Sequence, residues 1–122
     1  MTEDNKTPGV YLYALNECSG GILPGTEDWQ HVVDLGTSGG YDWETTPFYY
    51  SPSARRFFWR SESGCSCSSW GDSIESVADF ENGGRADALK AVRRIVEDSF
   101  GTTAANALDA ADAIRNFNIK GS

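Results

Sequence analysis

Four residues in this 122-residue sequence have the chemistry to hold a transition metal or attack a carbonyl: Cys18, Cys65, Cys67 and the single histidine, His31. Together they make one Cys₃His set, a combination that tetrahedral zinc favours. The spacing opposes it. Cys65-x-Cys67 is tighter than a Cys-x₂₋₄-Cys knuckle, and Cys18 and His31 stand alone on separate segments. A Cys nucleophile with His31 as base needs the two groups in contact, and nothing in the spacing brings them together. A Cys65–Cys67 redox pair is weaker still, because a bridge across one residue is strained and no helix N-terminus follows to lower a thiol pKa. Reduced cysteines packed as small apolar side chains are the plainer expectation. No zinc and no cofactor are therefore expected. A metal-binding or thiol-dependent domain built on Cys65, Cys67 and His31 is the alternative.

Carboxylates are the other abundant reactive groups. Asp42 and Glu44 flank Trp43, and Asp72, Glu75, Asp79 and Glu81 follow the cysteine pair. They lack the Gly-centred pattern of a calcium loop, so a solvated acidic face is expected. No phosphate loop, dinucleotide fingerprint or nucleophile elbow occurs. The net charge of −8 argues against direct binding to nucleic acid or anionic membranes. It allows an acidic DNA-mimic inhibitor, although excess Asp and Glu also simply keep a small protein soluble. No apolar run has the length of a membrane span, and the N-terminus lacks a signal-peptide core, which together imply a cytoplasmic setting.

The binding candidates lie in residues 62–72, a Ser/Gly-rich stretch read as a loop. Trp70 sits there with no periodicity to bury it, beside Arg60 and Glu62, and Trp and Arg are enriched at binding hot spots. With Cys65 and Cys67 these form the candidate partner-binding surface. The competing expectation is that Trp70 folds back to plug the end of a sheet.

That loop must be held by the hairpin before it. Ser51-Pro52-Ser53-Ala54 carries type I turn chemistry between two aromatic runs. It predicts residues 46–50 paired with 55–61, with Tyr50 opposite Arg55 and Phe48 opposite Phe57. Phe48, Phe57 and Trp59 then share a core face, while Tyr49, Arg56, Phe58 and Arg60 share a mixed face that is either covered or partly solvated. Residues 9–15 read as a central strand, with a loop over 16–25. Residues 29–35 read as a strand in which Trp29, Val33 and Leu35 share one face. Residues 74–80 read either as a short helical turn or as an extended connection that drops Ile74, Val77 and Phe80 into the core.

Helical periodicity begins after Gly83-Gly84. Leu89, Val92, Val96 and Phe100 form one stripe over residues 85–100, with Ala88 and Ile95 beside it. A second helix over 104–116 carries Ala104, Ala107 and Ala111, small enough for close packing with Leu108 and Ile114. Strands first and helices last predict an α+β domain: a small antiparallel sheet of 3–5 strands with a C-terminal helical hairpin packed on one face. The whole of 1–122 is read as a single domain, with 1–7 a disordered tail, 9–61 the sheet, 62–83 a loop and 84–117 two helices.

An aromatic strand ending in Trp59, then Ser-Gly-Cys-Ser-Cys at residues 63–67, a short acidic segment and an Ala/Leu-rich helix, resembles a family of small uncharacterised actinobacteriophage proteins. Ser68 stands here where that family has Pro. The resemblance covers roughly the middle half of the chain. It implies a phage origin and the cytoplasm of an infected bacterium, and it implies no activity. The functional expectation is a non-enzymatic accessory protein that binds a host or phage protein.

Overall fold

The computed structural model describes residues 8–12, 20–37, 42–65, 70, 71, 73–98 and 104–117. β1 (Tyr11–Leu12) and β2 (Gly21–Ile22) form a short antiparallel ribbon. Of the central strand expected over residues 9–15, the described part, residues 9–12, lies in this ribbon and not in the larger sheet: Tyr11 is 60% exposed, and the buried side is that of Val10 and Leu12; residues 13–15 lie outside the described residues. Thr26 anchors the ribbon, its buried hydroxyl donating to the Leu23 carbonyl (2.7 Å) and accepting from the Val10 amide (3.0 Å).

Dense β-branched and aromatic residues make β4 (Asp42–Ser51) the axis of a five-stranded antiparallel sheet. β3 (Gln30–Thr37) pairs along one side of it. On the other side β5 (Arg56–Trp59) pairs with its C-terminal half and β6 (Glu62–Cys65) with its N-terminal half. β7 (Glu81–Gly83) adds to β5. Strands β6 and β7 lie within the segment read from sequence as a loop.

The β4–β5 register differs from the expected one by two residues: Tyr50 is opposite Phe57, and Phe48 opposite Trp59. Arg55 takes a left-handed conformation (φ 59°), and its amide donates to the Ser51 carbonyl at 2.7 Å. The loop is therefore residues 52–55, not 51–54. A shift of two keeps every side chain on its expected face. Ser51 still accepts from the Ala54 amide (3.1 Å), and Asp28 binds the Ser53 amide (2.9 Å).

Helices α1 (Arg85–Asp98) and α2 (Ala104–Asn116) cover one face of the sheet. Leu35, Phe48, Tyr50, Phe57 and Trp59 meet Ala88, Ala91, Val92, Ala110 and Ile114 there. The expected α2 stripe is rotated: Ala110 is buried and Leu108 is 66% exposed. Arg85 donates to the Ile114 and Arg115 carbonyls (3.1 and 2.5 Å), satisfying the C-terminus of α2 with a cation. Gly36 on β3 donates its amide to Asn106 Oδ1 of α2 at 3.1 Å.

The opposite face is also buried, by the ribbon, Trp70 and residues 74–80. Trp29 stacks on Phe58 with centroids 4.2 Å apart and meets Phe80 edge-on at 5.0 Å. Val10, Leu12, Leu23 and Ile74 complete this second core. Residues 74–80 place Ile74, Val77 and Phe80 against it through a 3₁₀ turn, Val77–Asp79, whose Ser76 and Asp79 form a capping box.

Trp29 and Leu35 therefore lie on opposite faces, contrary to the alternation expected of residues 29–35. A β-bulge is the cause. His31 pairs with Tyr49 and Val33 with Phe48, leaving Val32 as the extra residue.

Candidate functional site

β5 and β6 hold one register along β4, so Arg60 and Ser61 fall opposite Pro47 and Thr46. The Gly36 amide points away from β4, which makes Gly36–Thr45 a non-hydrogen-bonded pair and turns the backbone of Thr45 and Pro47 toward β6. Proline has no N–H to give. The Arg60 carbonyl that would have received it accepts instead from Trp70 Nε1 at 3.0 Å. Across the same gap the Thr46 and Ser61 hydroxyls meet at 2.7 Å.

The Arg60 side chain is held as firmly as its carbonyl. Its Nε lies 2.6 Å from Glu62, its Nη1 donates to the Asp79 carbonyl (2.9 Å), and its Nη2 donates to Ser73 (3.1 Å). Glu62 also accepts from the Gly71 amide at 2.9 Å. Trp70 is half-buried, 6.1 Å from Phe80 between centroids. The structure thus brings Arg60, Glu62 and Trp70 together in one network that ties Trp70, Gly71, Ser73 and Asp79 to the sheet. Cys65 closes β6; Cys67 and Cys18 lie outside the described residues, as does the Cys65 side chain.

His31, the fourth residue of the Cys₃His set, has a different partner. Its Nε2 is 2.8 Å from Asp34 Oδ1. Residues three apart on a regular strand point to opposite faces. The bulge at Val32 puts both on one face, since their partners Tyr49 and Pro47 share a face of β4. The Tyr49 ring meets His31 edge-on at 5.6 Å. Burial, with a smaller contribution from the Asp34 charge, pushes the Tyr49 phenol up to about 12, so it stays a neutral hydroxyl. Tyr11 and Ile22 of the ribbon stand across from these residues, enclosing a cleft of about 830 Å³. Among the described residues, no group of three or more His, Cys, Asp or Glu is placed to hold a metal ion.

A second concavity, of about 510 Å³, runs between the outer faces of the helices. Leu89, Val92 and Val96 of α1 line it with Ala107, Leu108 and Ala111 of α2, and Arg93, Glu97 and Arg115 form its rim. Val96, expected against the sheet, belongs to this groove.

Sequence reading missed Asp34, Tyr49, Tyr11 and Leu108. An aromatic opposite a histidine becomes visible only once the register is known, and the Asp34 contact depends on a bulge that no residue type announces. Leu108 is expected from sequence on the packing face of the second helix, but the structure places Ala107, Ala110 and Ile114 against the core and leaves Leu108 outward.

Residues 26–119 match a family described as a domain of unknown function, DUF7574, a span running from the foot of β3 through α2. Searches of curated proteins and of solved structures give no match.

Proposed function

The chain belongs to the DUF7574 family, and on that premise we propose that it is a non-enzymatic accessory protein that acts by binding another protein through the groove between α1 and α2. One observation carries the reading: Leu108 stands 66% exposed beside a concave apolar surface. An isolated exposed leucine needs no explanation, but one beside an apolar groove between two helices suits the apolar stripe of a partner's amphipathic helix. The charged rim would fix orientation more than affinity.

Trp70, Arg60 and Glu62 serve in this reading as the staple that holds the loop, because their polar atoms are engaged within the chain. The likeness of residues 63–67 to small actinobacteriophage proteins supports a phage-encoded protein working in the host cytoplasm on a host or phage partner.

The test is Leu108→Glu, with thermal melting and partner capture from bacterial lysate measured together. An exposed position should change stability by no more than about 0.5 kcal/mol. An unchanged melt with loss of a partner that wild type retains supports the groove. Capture of the same partner by the folded variant removes the groove from the binding surface.

A further inference from the structure

We infer that the cleft between the β1–β2 ribbon and the β3–β4 face is a binding site for a small organic ammonium ion. It lies on the sheet face opposite the helix groove and is independent of it.

The size comes first. At about 830 Å³ the cleft falls in the range of small-molecule sites and exceeds what one protruding side chain would fill. The chemistry of its walls selects the ligand. Asp34 supplies a carboxylate whose side chain is 62% exposed, fixed in direction by His31. Tyr11 and Tyr49 supply aromatic rings from opposite walls. Ring faces attract cations through their quadrupole, most strongly where water is partly excluded. A carboxylate and two tyrosines lining one cleft suit an organic cation, and the net charge of −8 draws cations toward the chain as a whole.

The site is built rather than incidental. The bulge at Val32 is what turns His31 and Asp34 to the same face. Tyr11 is exposed yet seated: a side chain at Gly20 would overlap its hydroxyl, so the glycine makes room for the ring to lie along the ribbon. Gly9, with φ 108°, brings the backbone close beside Ile22, where a Cβ would come within 2.7 Å of the Ile22 side chain. Its amide donates to the Trp29 carbonyl at 2.8 Å, pinning this wall to the foot of β3.

The experiment is a titration of the full chain, followed by amide shifts in ¹H–¹⁵N spectra. The probes are phenethylammonium, its neutral counterpart phenethyl alcohol, and Nα-acetyl-lysine methylamide. Phenethylammonium should saturate shifts at His31, Asp34 and Tyr49 and bind at least tenfold tighter than the alcohol. Asp34→Asn should weaken it at least fivefold with the remaining spectrum unchanged. Tyr11→Leu, an exposed substitution that leaves the fold intact, should weaken it as well. Equal binding of amine and alcohol, an unaffected Asp34→Asn, or shifts scattered over the acidic surface would each overturn the site. Blocked lysine binding as tightly as the free amine would overturn the small-molecule assignment in favour of a protein side chain.

Discussion

At Arg60 the main chain and the side chain answer to different partners. The guanidinium holds Glu62, Ser73 and the Asp79 carbonyl, while the residue's own carbonyl is bound by Trp70 because Pro47, opposite, has no N–H. Removing the indole donor while keeping a ring should leave that carbonyl unsatisfied. Trp70→Phe is expected to destabilise by about 1–3 kcal/mol. In a Pro47→Val background the restored amide can close the ladder, and the cost of losing the indole should shrink. Urea denaturation of the four variants checks this, with a coupling of about 0.5–3 kcal/mol expected for groups sharing one partner. Equal costs in both backgrounds would show that the two donors do not compete for the carbonyl. The sequence displayed Trp70, Arg60 and Glu62 as neighbours, yet not this logic. Pro47 and Trp70 are 23 residues apart and related only through the register of a strand between them.

Single elements were legible where one signal dominated. The hairpin, though two residues out of the expected register, and both helices follow from turn chemistry and periodicity. The failures share a physical form: β6 is a Ser/Gly-containing strand made by pairing with β4 rather than by propensity, and the β3 bulge breaks an alternation that the residue types do not mark. Two carboxylates fasten elements that propensity alone would leave loose. Burial raises the pKa of Asp28, but hydrogen bonds from Ser53 and Ser51 outweigh it and hold the carboxyl below its usual range. Asp79 is lowered by the Glu75 and Ser76 amides it accepts from. With folded pKa values below the unfolded value of about 3.9, both contribute fully above that pH. The contribution is lost as pH falls through the folded values. The melting temperature should therefore fall as pH drops below about 4, and Asp28→Asn should reduce that fall while leaving the slope above pH 5 unchanged. Thermal melts across the range from pH 2 to pH 7, roughly, decide it.

On the scale of the molecule, the sheet is buried on both faces, by helices on one side and by the ribbon, Trp70 and residues 74–80 on the other. Sequence reading had foreseen cover on one face and left the other open, because Arg56 and Arg60 share it with Phe58. The arrangement separates the two candidate surfaces, the helix groove lying outside one layer and the cleft beneath the other. A sheet so covered still has rims. Along β3 the outward amide of Gly36 is taken by Asn106, so α2 occupies one hydrogen-bonding group of this edge as well as covering an apolar face. The consequence concerns copies of the chain rather than one copy. An open strand edge is a template on which further strands polymerise. Asn106→Ala should speed exchange of the Gly36 amide and shorten the lag before light scattering rises in mild denaturant, in proportion to protein concentration. Asn106 would then guard concentrated solutions of this protein against strand-to-strand assembly as well as joining two layers.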